Sequence, residues 1–396
     1  MRALAATLRP YLRVVTPLGW GFVGTAALLW VAGTLLGWAE LRVAAVAAIG
    51  LVVLSVLLTL GGTSLRLRLW LTPARVSAGG TSQATLTAVN RGRTSPPATI
   101  ELPVGETVAT FAVPMLRPAE QYRSFLDVPT TRRGVITVGP VTTVRGDPFG
   151  LARREVSRAA AVELFVHPNV ILLPSLDAGL VRDLEGRSTT DPSASDLDFH
   201  TLRSYQPGDE RRHVHWRSSA KASAARGATT LLVKSYTDTR RSHVGVVFDA
   251  RSASYVDEEA FETGIVAAAS VAMRALKDEM DVTVVAGDHA VDRSGAARTL
   301  DGFSRVQPTT TDLPALAAHL VTLAPATSIV LIVTGSENPF TDLRRSTAQF
   351  GPQVRVIALR IRPGHPSSTA SAYGLSVLSM GELTDLSRLL SVGGFP

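Results

Sequence analysis

The sequence predicts a multidomain chain: a two-helix transmembrane hairpin, a small antiparallel β-sandwich-like domain, and an α/β domain built on a parallel sheet. Three observations predict it. Two long uncharged apolar runs fill most of the first 62 positions; short alternating segments follow to about residue 150; and buried strands alternate with helical runs from His243 onward. The 396 residues exceed one ordinary core, since domains usually hold about 100–200 residues. The boundaries read from these shifts are 1–63 for the hairpin, 64–160 for the β-rich domain, 161–242 for a connecting region and 243–396 for the α/β domain.

The hairpin comes first. Pro17 to Trp38 reads PLGWGFVGTAALLWVAGTLLGW and Val43 to Gly62 reads VAAVAAIGLVVLSVLLTLGG, both without a charge. About 20 apolar residues in a helix span the ~30 Å hydrocarbon layer, where a helix satisfies its own backbone. Ala39, Glu40, Leu41 and Arg42 form the expected connection, too short for anything but an antiparallel pair. Trp20, Trp30 and Trp38 include candidates for interfacial anchors. Arg2, Arg9 and Arg13 precede the first run and Arg66, Arg68 and Arg75 follow the second, while Arg42 alone lies between. Basic residues stay on the cytoplasmic side, so a multi-pass inner or plasma membrane protein with both termini cytoplasmic is expected. A cleaved signal peptide is the competing reading.

In residues 64–150 the segments SLRLRLWL, SQATLTAVN, ATIELPV, TVATFAVPM and GVITVGPVTTV repeat with period two. Side chains alternate between the faces of a strand, so this pattern predicts half-buried antiparallel strands. Gly79-Gly80, Pro96-Pro97, Pro118 and Gly134 punctuate them as turns.

From His243 the segments HVGVVFDA, DVTVVAG, SIVLIVTG and QVRVIALRI are nearly continuous apolar runs, as expected of strands buried on both faces. Between the first two lies VDEEAFETGIVAAASVAMRALKDEM, an amphipathic helix with Asp257, Glu258 and Glu259 in its first turn and Lys277 near its end, which complements the helix dipole. Residues 312–323, the run from Thr341 and the run from Gly381 supply further helices.

Composition removes several function classes. The chain has no cysteine, which excludes disulfides, thiolate metal sites and cysteine nucleophiles. The formal net charge is +7, but its arginines are scattered, so no nucleic-acid partner is expected and attraction to anionic lipid is the milder reading. The chain holds no G-x-x-x-x-G-K-S/T loop, no G-x-S-x-G elbow and no H-E-x-x-H pair.

Three stretches then stand in order. Arg132-Arg133-Gly134, Val138-Gly139-Pro140 and Asp147-Pro148-Phe149-Gly150-Leu151 come first. Phe165-Val166-His167-Pro168 comes next. Last are Arg203-Ser204-Tyr205, Pro207-Gly208-Asp209, Arg211-Arg212, His215-Trp216 and Ser219-Ala220-Lys221. Read physically, Pro207-Gly208-Asp209 is a turn, and His213, His215 and Arg217 alternate on one face of a short strand. Two histidines at i and i+2 make a weak zinc signal. Arg211, Arg212, Arg217 and Lys221 with Trp216 offer a stacking basic surface, and a solvated turn or an Asp209–arginine pair is the plainer account.

Together these stretches resemble the bacterial family catalogued as domain of unknown function fifty-eight. The resemblance implies a surface for a protein partner at Arg203, Tyr205, Gly208, Asp209, Arg212, His215, Trp216, Ser219 and Lys221. It also implies association with a MoxR-type AAA+ ATPase, sometimes with transglutaminase-like membrane proteins, and a von Willebrand factor A-like (Rossmann-type) C-terminal domain. The aspartate ending HVGVVFD, followed by a serine-rich loop, is similar to that domain too. There, D-x-S-x-S, a threonine and a second aspartate hold a divalent metal, because a hard cation wants several oxygens. Here Asp249 is followed by serines three and five residues on, Ser252 and Ser254; Arg251 takes the first serine position and Thr334-Gly335 stands for threonine-aspartate. A degenerate site at Asp249, Ser252 and Ser254 would hold Mg only weakly, a protein-binding face being the alternative.

The expected function is a membrane-anchored interaction or assembly adaptor without catalysis of its own. A metal-dependent or serine/histidine hydrolase and a surface-displayed adhesion protein are the alternatives.

Overall fold

The computed structural model describes residues 14–59, 65–95, 97–176, 197–206, 214–226, 231–238, 242–372 and 374–392. It divides into two compact units, 1–169 and 170–396.

The first unit opens with helix α1 (Pro17–Leu35) and helix α2 (Ala39–Thr59). The Thr16 hydroxyl accepts the N–H of Gly19 at 3.1 Å, and Pro17 needs no partner for a missing N–H, so the chain enters α1 with a complete cap. Gly37 at φ +72° ends the helix, because only glycine enters the left-handed region cheaply. The connection is therefore Leu36 to Trp38. Ala39 to Arg42, expected as the link, form the first turn of α2 instead, where Glu40 suits the positive end of the helix dipole. Both helices are long and apolar enough to cross a membrane. Their buried positions are mostly small, Gly19, Ala26 and Gly33 on α1 and Ala45, Val52, Ser55 and Thr59 on α2, and Gly33 lies against Leu41 and Arg42 at the start of α2, where a larger residue would not fit. The outward faces are apolar, with Leu28 73% and Leu35 81% exposed.

The rest of this unit is β-rich. Strands β1 (Leu65–Thr72), β2 (Arg75–Ser77), β3 (Ser82–Asn90), β4 (Ala98–Val104), β5 (Thr107–Val113), β6 (Gln121–Val128), β7 (Gly134–Val138), β8 (Val141–Gly146), β9 (Arg153–Ala159) and β10 (Val162–His167) follow in order. One antiparallel sheet runs β1-β3-β6; the other runs β2-β10-β7-β4-β8-β9, with β5 on β4 and one parallel pair, β2 with β10. Leu65, Leu67, Leu86 and Ala88 of the first sheet share one buried core with Ile100, Leu102, Val138, Leu164 and Val166 of the second. The two sheets thus face each other as a sandwich. The boundary expected at 160 moves: β10 belongs here because Leu164 and Val166 alternate into that core.

The Asp147–Leu151 segment is a tight turn between β8 and β9. The Asp147 carboxylate accepts the N–H of Phe149 (2.9 Å) and of Ala152 (2.6 Å), and Gly150 sits at φ +71°. The turn meets the start of α1: the N–H of Thr16 donates to the carbonyl of Leu151 (3.0 Å) and its hydroxyl to that of Gly150 (2.7 Å).

The second unit begins with an extended segment along helix α4 (Glu258–Lys277): the N–H of Ile171 donates to Ser270 Oγ, that of Leu176 to Asp278, and Arg274 to the carbonyl of Leu173. A two-stranded antiparallel ladder of β11 (Leu197–Ser204) and β12 (Leu232–Asp238) carries helix α3 (Trp216–Arg226) between its strands. The main sheet follows: β13 (His243–Phe248), β14 (Asp281–Ala286), β15 (His289–Val291), helices α5 (Ala296–Arg305) and α6 (Leu313–Leu323), β16 (Ile329–Gly335), helix α7 (Phe340–Thr347), β17 (Arg355–Ile361), β18 (Ser368–Ala372), β19 (Leu375–Met380) and helix α8 (Leu386–Val392). Its order is β15-β14-β13-β16-β17-β19-β18, with parallel pairing from β14 through β19 and antiparallel strands at both edges.

Successive side chains point to opposite faces, so each parallel strand feeds two cores. Val246 and Phe248 lie with Ala268 of α4 and Leu386 of α8, while Val247 lies with Leu316 and Leu320 of α6 and Leu343 of α7. The alternating pattern of apolar strands and amphipathic helices requires this three-layer arrangement.

Candidate functional site

The strand order reverses direction between β13 and β16. Chain leaving β13 turns to β14 on one side, and the later strands are laid down on the other. Such a switch point opens a crevice beyond the carboxyl ends of the two strands, where open α/β sheets bind ligands. Asp249 follows β13 directly and Thr334 is near the end of β16, so both lie there.

Asp249 is fully buried. Its backbone N–H donates to the carbonyl of Val333 (2.9 Å), which fixes it between the strands. Oδ1 accepts from the backbone N–H (3.2 Å) and Nε (3.0 Å) of Arg251. Oδ2 accepts from Arg251 Nη2 (2.9 Å), Ser254 Oγ (2.7 Å) and Thr334 Oγ1 (2.8 Å). The guanidinium thus grips the carboxylate with two parallel bonds, the strongest form of this contact. It reaches further: Nη2 donates to Asn338 Oδ1 (3.1 Å) and Nη1 to Asp342 in the first turn of α7 (3.3 Å). The hydrogen bond to Asp249 holds the Arg251 pKa above its ordinary value, against the opposing effect of burial.

Neighbouring groups brace the cluster. Tyr255 donates its hydroxyl to the Asp249 carbonyl (2.9 Å); burial, then the Asp249 charge, pushes its pKa well up, so it stays protonated. Its ring packs with Phe248 and Phe261. Arg360, on β17 beside Thr334, donates Nη2 to the carbonyls of Ser336 (2.6 Å) and Asn338 (2.9 Å) and so holds the loop after β16; burial lowers its pKa. Gly335 lets that loop pass under the turn Ser252–Ser254, because a β-carbon there would overlap the Ser254 carbonyl.

A divalent metal does not fit these residues. A carboxylate offers about four lone-pair positions, and five N–H and O–H donors already surround that of Asp249. Of the expected ligand set, Ser254 reaches Asp249, whereas Ser252 is exposed on the helical turn. Asn338, Asp342 and Arg360 belong to no motif in the sequence. For Asp342 the signal was an acid in the first turn of a helix, which the helix dipole alone explains.

The signature residues lie elsewhere in this unit. Gly208, Asp209, Arg212 and His213 lie outside the described residues. His215 and Arg217 do not share a strand face: α3 starts at Trp216, because SSAKASAA has helix-forming composition and His215 caps it. His215 Nδ1 accepts the N–H of Ser218 at 3.2 Å and its carbonyl accepts that of Ser219 at 3.0 Å. Buried Ser219 accepts the N–H of Leu232 (2.8 Å) and ties α3 to β12. Tyr205 donates its N–H to the carbonyl of Leu231, and Arg203 pairs with Val233 through the backbone ladder. Trp216, 64% exposed, and Lys221 face solvent.

No protein-family model matches the chain, and no curated protein matches it. Among solved structures, the CARDB domain of the PF1109 protein from Pyrococcus furiosus, in complex with di-metal ions, is 16% identical. It covers 27% of this chain and 96% of its own, with a TM-score of 0.21. The alkylpurine DNA glycosylase AlkC of Pseudomonas fluorescens is 15% identical over 35% of this chain and 43% of its own, TM-score 0.20. Spo0M, a sporulation control protein from Bacillus subtilis, is 12% identical over 36% and 60%, TM-score 0.17. At such TM-scores neither the fold nor the activity of these proteins transfers to this chain.

Proposed function

We propose that the protein is a membrane-anchored interaction or assembly adaptor, whose α/β unit is a von Willebrand factor A-like docking domain for a MoxR-type AAA+ ATPase. One observation carries it: at the switch point, where an enzyme of this architecture would keep its reactive groups open, the buried Asp249 carboxylate is saturated by donors of its own chain. The lone pairs of this carboxylate are taken up by its own chain, and it frames a rigid surface. Ser254 and Thr334 converging on an aspartate at the end of β13 support the domain assignment.

The two apolar helices with outward-facing leucines support anchoring by a hairpin, and the arginines flanking it support cytoplasmic termini. Transglutaminase-like membrane proteins are a further partner class by the same resemblance. Exposed Trp216 and Lys221 on α3 are the anchors assigned to the partner.

Crosslinking in native membranes followed by mass spectrometry tests the reading. A MoxR-type AAA+ ATPase is expected with the wild-type chain and lost with Trp216→Ala/Lys221→Glu. Recovery of lipid alone sinks it.

A further inference from the structure

We infer that Arg251 is a resident cation, occupying with its guanidinium the place a divalent metal would take at these strand ends, so that the face is assembled without metal. The inference rests on the von Willebrand factor A-like reading of the strand ends and on their geometry, and does not depend on the adaptor role or its partner.

A metal at such a point performs two tasks: it neutralises buried carboxylates and ties the loop after one strand to the loop after another. Arg251 performs both. Its Nε and Nη2 bind the two oxygens of Asp249 after β13; Nη2 and Nη1 bind Asn338 and Asp342 beyond β16. Four of its five N–H groups are thereby used. The loop is built around this choice. Arginine at the second position after Asp249 leaves Ser254 at the fifth, and the turn Ser252–Ser254 still brings that hydroxyl to Oδ2 at 2.7 Å. Ser254 and Thr334 therefore donate to a carboxylate that the guanidinium already neutralises, and a metal would have to evict a buried, doubly bonded arginine.

The charge balance agrees. Asp249 and Asp342 present two negative charges and Arg251 one positive, while Arg360 on the adjacent strand is offset by Glu337. A divalent cation added to this set would make a largely buried cluster net positive, whereas one replacing Arg251 would balance both carboxylates. Removing the guanidinium therefore opens a site the wild type lacks.

The test uses the full chain in lipid nanodiscs, with Mn2+ binding read by electron paramagnetic resonance and by thermal unfolding. Wild type is expected to bind no Mn2+ at this site and to keep its Tm in EDTA. Arg251→Ser, which recreates D-x-S, is expected to unfold at lower temperature, to gain stoichiometric Mn2+ binding and to recover Tm with it. Adding Asp249→Asn abolishes that gain. Wild-type Mn2+ binding that Asp249→Asn removes would overturn the inference, as would a folded Arg251→Ser chain that binds no more Mn2+ than wild type. If Arg251→Ser does not fold, the Arg251 Nε–H resonance of the wild type decides: unchanged by Mn2+, it supports the resident cation; broadened or displaced, it overturns it.

Discussion

Gly19, one turn into the first membrane-length helix, lies against the carbonyl of Leu151 in the β8–β9 turn, so closely that a β-carbon at Gly19 would overlap the carbonyl oxygen. The obstacle is backbone, held by the N–H of Thr16, and cannot swing aside. Gly19→Ala should therefore cost about 1–3 kcal/mol, as overpacking does. Gly21→Ala meets nothing within 4 Å and should be neutral or slightly stabilising. Thermal unfolding of both variants in the same detergent checks the contrast.

Asp147 makes the same turn sensitive to acid. Burial raises its pKa, but the N–H of Ala152, with further bonds including that of Phe149, more than offsets this and leaves it below the ordinary 3.8. A carboxylate depressed on folding contributes stability above its unfolded pKa and loses it as pH falls through the folded value. Asp147→Asn should be less stable at pH 7, with a flatter loss between about pH 5 and pH 3. Urea unfolding across that window measures it; parallel curves for the two proteins would contradict the assignment.

At the strand ends, Thr334→Val keeps the shape of the side chain and deletes one donor to a fully buried carboxylate. A loss of about 1–3 kcal/mol is expected. Asp249→Ala should cost more, about 3–5 kcal/mol, because it leaves the partly buried Arg251 with Asp342 alone as counter-ion and takes the acceptor from Ser254 and Thr334. Chemical denaturation of both, with m unchanged, is the measurement.

Deleting residues 14–59 should release the chain from alkali-washed membranes, since it removes both helices that are long and apolar enough to span and the exposed leucines and valines they carry. Retention of the deleted chain in the pellet would point to another anchor. Reporter fusions after Gly62 and at Gly37 then test the proposed cytoplasmic termini, an active reporter being expected on the cytoplasmic side at the first position only.

Much of this was legible in the sequence because it depends on local pattern. Runs of uncharged residues, period-two segments and buried strands ending in polar turns state their own elements, and the main strands of the α/β sheet start within about two residues of where the pattern placed them. Strands β6 and β9 were not legible: QYRSFLDV and RREVSRA carry polar and charged residues on sheet edges, and their pairing supplies the order that their composition does not. Helix α3 is masked in the sequence because alternating histidines and arginine imitate a strand, whereas in the fold His215 caps the turn that follows.

Local pattern alone sets two apolar helices ahead of a β-rich unit and an α/β unit, and ends the first parallel strand at Asp249. What Asp249 does depends on residues that folding brings in from far along the chain. In the sequence Arg251 is a departure from a metal motif; in the fold it is the cation. Its partners Asn338 and Asp342 lie 87 and 91 positions away. Parallel pairing of β13 with β16 brings them to the same edge, a relation that no local spacing contains.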